Sequence, residues 1–117
     1  MTSLQNKLET FGAGLAAAIG AEDLPAEVYH YFRPQMNPPY AIWAEDGEGD
    51  SLEVNNKKVE QQIHGTTDYF TKTEYDPAVD CIQGYFVSLE NFGWKLLSVD
   101  YEDETHTIHF EWEWWLI

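Results

Sequence analysis

Leu4, Leu8, Phe11, Leu15 and Ile19 recur at steps of three and four residues, which places them on one face of a helix. Thr2 and Gln5 stand at capping-box spacing before it, and Gly20 is its natural stop. Gly12 and Gly14 each weaken a helix by about 1 kcal/mol relative to alanine, so their presence predicts a close neighbour on that surface. The pattern then changes period. Residues 27–33 are β-prone on both sides and end at Pro34, which predicts a first strand. Pro38 and Pro39 lead into a second strand over 40–44. The run from Glu45 to Asp50 is a loop by composition, continued by Asn55, Asn56, Lys57 and Lys58. Residues 59–73 are rich in Thr, Tyr, Phe and Ile, which predicts a long strand bent or bulged at Gly65.

Asp76 followed by Pro77 supplies an N-cap and a proline at the first helical position, so a second helix opens there. Its buried stripe is Val79, Ile82, Phe86 and Leu89, and Gly93 follows its end. A strand over 94–101, an acidic turn at 102–104 and a last strand over 105–116 complete the chain. In that last strand Ile108, Phe110, Trp112, Trp114 and Leu116 share one face, and His109, Glu111 and Glu113 share the other. The order α-β-β-β-α-β-β predicts an α+β fold: a mixed, mainly antiparallel sheet of about five strands with two helices packed on one face. The length of 117 residues suits one domain, with a helix in residues 1–24 and the sheet and second helix in 25–117.

Charge narrows the classes of partner. The chain carries 21 acidic residues against 6 basic ones, a net −15 that repels nucleic-acid phosphates and anionic membrane surfaces alike. We therefore expect neither nucleic acid nor membrane as a direct partner, and solubility alone explains the same composition. An aromatic content of 15% excludes a disordered acidic tail, because such chains lack the large side chains that offset backbone ordering. Cys81 is the single cysteine, so no intrachain disulfide forms. The N-terminus lacks the basic start and long apolar run of a signal peptide, and the apolar stretch from Phe11 to Ala21 is shorter than the roughly 20 residues of a membrane span.

Several groupings invite chemistry and fall short of it. His109, Glu111 and Glu113, with His106 nearby, offer metal-ligand types on one strand face. A single strand rarely completes a coordination sphere, and a solvated outer face is the simpler reading, so no metal is expected. Glu45, Asp46, Glu48 and Asp50 surround two glycines, yet their spacing does not match a calcium loop and no bidentate glutamate falls at its end. Gly12 and Gly14 follow a helix instead of a strand, which is the wrong place for a phosphate loop. Cys81 lies beside core Ile82 with no motif to activate it, and His30 and His64 read as packed or exposed. No G-x-S-x-G elbow occurs. The expectation is a protein with no catalytic residues and no cofactor. Trp115 points away from the core face, either as an anchor in a subunit contact or as cover for a sheet edge.

The residues from Tyr40 onward carry a resemblance. Tyr40-Ala-Ile-Trp-Ala-Glu-Asp-Gly47, Asn55-Asn56-Lys57, the run Gln62 to Lys72, Asp76-Pro77, Ser98 to Glu104 and Ile108-His-Phe-Glu-Trp112 resemble a small tail protein of phage and prophage operons. The similarity is to the tail-terminator, tail-completion and head–tail joining family, of lambda tail terminator-like fold. It implies a mixed sheet with helices, assembly into a hexameric ring at the head-proximal end of the tail tube, and no active site. Implied partners are further copies of the chain, the tail tube protein and the head–tail connector proteins. The implied location is the virion tail, with the bacterial host cytoplasm as the place of assembly. On that reading Trp115 and the acidic run Glu45, Asp46, Glu48 and Asp50 are candidate assembly contacts, the acidic run at a ring rim or lumen. Two alternatives stay open: a head–tail connector or stopper component, and a small cytoplasmic module that binds a partner through a strand edge or its Trp115 end.

Overall fold

A computed structural model describes residues 4–21, 26–32, 37–48, 52–54, 57–60 and 62–117. The proposed capping residue Thr2 lies outside them, as do Arg33, Pro34 and Asp50. Helix α1 (Leu4–Gly20) buries Leu8, Phe11, Leu15 and Ile19 of the stripe that the three- and four-residue steps define, while Leu4, at its first position, is exposed. Helix α2 (Pro77–Ser88) starts on Asp76, whose side chain accepts from the Ala78 N–H. It buries Ala78, Ile82 and Phe86, while Val79 and Leu89 pack at the margin of the core.

The strands are β1 (Glu27–His30), β2 (Tyr40–Glu48), β3 (Leu52–Val54), β4 (Lys57–Glu60), β5 (Ile63–Thr71), β6 (Phe92–Glu102) and β7 (Thr107–Leu116). Five of them form one sheet in the order β1-β2-β5-β7-β6. Only β1 runs parallel to its neighbour; the other pairings are antiparallel. The fold is therefore α+β, with a mixed, mostly antiparallel sheet and two helices.

Both helices meet the sheet on the face that carries Ala41, Trp43, Ile63, Tyr69, Trp112 and Trp114. The Phe11 ring stands 4.5 Å from that of Trp114, and Phe86 meets Trp112 edge-on at 6.1 Å. Both buried indoles have polar partners: Trp112 donates to Gln83 at 3.1 Å, and Trp114 donates to Thr67 at 3.0 Å. A buried N–H left without an acceptor would cost about 1–3 kcal/mol, so these two bonds let the large rings sit in the core.

Gly12 and Gly14 of α1 have the close neighbours that their positions predict. A Cβ on Gly14 would lie 2.4 Å from the Tyr85 hydroxyl, which donates to the Phe11 carbonyl at 2.8 Å and so ties α2 to α1.

Four sequence expectations need correction. Glu45–Glu48 is not loop but the second half of β2, paired with β5 through a bulge between Glu45 and Gly47. Lys57 and Lys58 belong to a two-stranded hairpin, β3–β4, which inserts two strands into the expected order. The bulge expected at Gly65 lies opposite it, in β2 between Glu45 and Gly47, while the pairing of β5 with β7 runs unbroken through Gly65. A Cβ there would lie 2.4 Å from the Trp114 ring and 2.7 Å from the Ala44 carbonyl, so the glycine admits the indole. Finally, Gly93 lies within β6, and the turn out of α2 is made by Asn91, at φ 53°.

Candidate functional site

The structure separates the expected assembly residues. Alternation along β2 sends the neighbouring acids Glu45 and Asp46 to opposite faces and different partners. Glu45 joins the helix side, where it accepts from His30 Nε2 at 2.7 Å and from the Tyr31 hydroxyl. Asp46 instead contacts Nδ1 of His64. The other nitrogen of His64 lies 3.5 Å from Glu113, and its ring is 5.5 Å from that of Trp115, its cross-strand partner. Trp115 and Asp46, 69 positions apart in number, are thus neighbours of one histidine at one end of the sheet. Trp115 is half-buried there, on the face away from the helices. The Glu48 backbone pairs with Ile63; its side chain and all of Asp50 lie outside the described structure.

Glu45 belongs to a stack that no local spacing announces. The His30 ring is sandwiched between Trp43 at 3.7 Å and Tyr31 at 3.8 Å, nearly parallel to both. Tyr31 holds a left-handed backbone, φ 75°, unfavourable for a bulky residue, and its hydroxyl is tied down by Glu45. Burial pushes the Glu45 carboxyl up, but the hydrogen bonds from Tyr31 and His30 outweigh it and hold the group below its ordinary value. The same bond raises Tyr31, because its anion would face the carboxylate. Beside the stack runs a groove of about 720 Å³ between α1 and β1, floored by Leu8, Gly12 and Val28. The only signal in the sequence was a β-prone His30-Tyr31; its acid lies 15 residues on and arrives only through parallel pairing of β1 with β2.

On the helix-free face, His109 lies 3.2 Å from Asp68 and stacks on Phe70 at 4.3 Å. His106 stands in the turn between β6 and β7 and contacts the Tyr101 hydroxyl at 3.0 Å. Among the described residues, no three His, Cys, Asp or Glu side chains are placed to hold a metal ion. Cys81 is half-buried in α2 and packs against the core.

The feature that sequence reasoning missed is the far edge of the sheet. β6 is 11 residues long and, among the described residues, has a strand partner on one side only, β7. Along it Leu96, Leu97, Val99 and Tyr101 are exposed, the last two at 52% and 58%. Val99 and Tyr101 pair with Phe110 and Ile108, so they extend the core face past the shelter of α2. A groove of about 400 Å³ opens there, lined by Val79, Val99, Ile108 and Phe110 and by the acids Glu74, Asp76 and Asp80. Tyr75, 92% exposed at φ 56°, stands beside it. The sequence identifies this segment as a strand, but its place at an edge follows from topology.

No family model matches the chain, and a search of curated proteins finds no relative of it. Among the described residues, no helix is long and apolar enough to cross a membrane.

Proposed function

We propose that this chain is a structural subunit of a phage or prophage tail, assembling as a ring that caps or joins the head-proximal end of the tail tube. The observation that carries the reading of an assembly component, as distinct from the contact between copies in the ring, is β6: among the described residues a long, open sheet edge with large apolar side chains exposed along it. Such an edge offers unpaired backbone groups and apolar surface together, a combination that isolated proteins avoid and assembly subunits cover with a neighbour. The resemblance of residues 40–112 to tail-terminator and head–tail joining proteins supplies the kind of assembly. The work of a cap is steric and needs complementary surfaces alone. Its partners on this reading are copies of itself, the tube protein and the connector, and its place is the virion tail after assembly in the host cytoplasm.

The ring is tested by light scattering of the purified protein at high concentration and by microscopy of assembled tails. Six subunits in a closed ring support it, because head-to-tail contacts close at the number their rotation sets. A two-fold dimer in both settings would overturn it.

A further inference from the structure

We infer that the C-terminal half of the β6 edge, with the groove beside it, binds an extended segment of a different protein in which apolar and basic residues alternate. The inference rests on the reading of the chain as an assembly component and names the chemistry of one partner; it does not depend on the assembly being a tail.

Three observations carry it. The first is the free edge. β6 ends the order β1-β2-β5-β7-β6, so among the described residues the backbone groups on its outer side have no strand to pair with. An extended segment laid along it gains main-chain hydrogen bonds, and alternate side chains set its specificity. The second is the alternation on β6 itself. Val99 and Tyr101 face the helix side with Phe110 and Ile108, whereas Asp100 and Glu102 pair with His109 and Thr107 on the opposite side. One face of the edge is apolar and the other anionic. A strand that complements both carries apolar side chains on one face and lysine or arginine on the other, since opposite charges on adjacent strands attract.

The third is the rim of the groove. Val79, Val99, Ile108 and Phe110 line it on the apolar side of the edge, and the acids Glu74, Asp76 and Asp80 line it with them, within reach of basic residues that flank the paired stretch. Among the described residues, no lysine or arginine forms an ion pair with Glu74, Asp80 or Asp100. These carboxylates therefore have their charge available to an incoming cation. A second copy of the chain does not supply the match. Its six basic residues are Lys7, Arg33, Lys57, Lys58, Lys72 and Lys95, and no two stand at alternate positions. Each copy also brings a net −15, so copies repel one another where their acidic edges meet.

The test uses a short fluorescent peptide of alternating valine and lysine, a peptide of the same composition with its lysines in one block, and a valine–glutamate peptide. The alternating lysine peptide should bind the whole protein, weaken as salt rises, and bind at least tenfold tighter than the other two. Val99→Lys and Asp100→Lys should each weaken it tenfold or more, while Glu9→Lys on α1 should not. Chemical shifts of the unaltered protein should move in β6 and α2 on titration, which keeps the test valid if a variant fails to fold. Equal binding of the blocked peptide, equal loss in the Glu9→Lys variant, or shifts scattered over the acidic surface would overturn the inference in favour of general charge attraction. Absence of binding would overturn it as well. Ring size, measured on the same samples, reports separately: a closed ring without peptide binding sinks this inference alone, and peptide binding by a protein that forms no ring sinks the ring alone.

Discussion

The indole of Trp43 lies against Gly12 so closely that a Cβ at position 12 would sit 2.4 Å from its Cζ2. A Cβ there would force the ring to shift against its neighbours. His30 stacks on it at 3.7 Å, and Phe11 meets it edge-on at 5.3 Å. Gly12→Ala should therefore destabilise the protein by about 1–3 kcal/mol, even though alanine is the better helix former. Gly20, at the end of the same helix, has nothing within 4 Å of a built Cβ. Gly20→Ala should leave stability unchanged or raise it by up to about 1 kcal/mol. Urea unfolding of the pair checks the contrast, and equal effects would contradict the packing of Trp43 on α1.

Asp76 joins α2 to β5 as well as capping the helix. One oxygen accepts from Ala78 N–H at 2.9 Å; the other accepts from the Tyr69 hydroxyl at 2.8 Å and from Thr71 Oγ1 at 2.6 Å. Asp76→Ala removes a cap worth about 1 kcal/mol and also strands buried hydroxyls, so a loss of about 2–4 kcal/mol is expected. Thermal or urea unfolding measures it. A loss no larger than that of an ordinary cap would mean that the hydroxyls find water.

Tyr69 sets the alkaline limit. Burial, and then the hydrogen bond to Asp76, push its hydroxyl well above the ordinary value of 10.0. Its raised folded value gives stability that is complete below pH 10 and declines above it, as the unfolded chain releases a proton that the folded chain keeps. Tyr85 is raised by burial and adds in the same direction. The melting temperature should fall above pH 10. Tyr69→Phe should flatten that decline while costing about 1 kcal/mol at neutral pH through the lost hydrogen bond. An unchanged alkaline slope would contradict the assignment.

Glu45 acts at the other end of the scale. Its folded value lies below the ordinary 4.5, so its contribution is present above pH 4.5 and lost as pH falls through the folded value. Glu45→Gln should lower stability at pH 7, by about 1 kcal/mol for the bond to His30, and should reduce the further loss below pH 4.5. Asp46→Asn, at a half-exposed site, should have the smaller effect at pH 7. Acid titration of the two variants by circular dichroism separates them. Equal behaviour would restore the flexible-loop reading of this acidic run.

Local rules were readable wherever the signal was local. The α1 stripe, the Asp76-Pro77 start and the alternation from Ile108 to Leu116 depend on spacings within one segment, and all three stand in the structure. Glu45–Glu48 reads as loop because glycine and acids disfavour strands, yet pairing with Ile63–Gly65 and the bonds from His30 and Tyr31 override that preference. By sequence Gly65 and Gly93 read as punctuation; in the fold one makes room for Trp114 and the other lies opposite Trp115. Their role depends on which strand lies alongside. The exposure of β6 is hidden for the same reason, since Val99 and Tyr101 look like core until the order of strands leaves them at an edge.

Deletion of the gene tests most directly the proposal that this chain acts at the end of a tail tube. Electron microscopy of the resulting lysate should show full heads beside unattached tubes. Tubes of abnormal, often excessive length would mark a terminator, and purified protein added early should restore normal length. Tubes of normal length that fail to join heads would mark a connector component. Normal infectious particles after a clean deletion would contradict both and leave a cytoplasmic protein-binding module as the account that fits the open β6 edge.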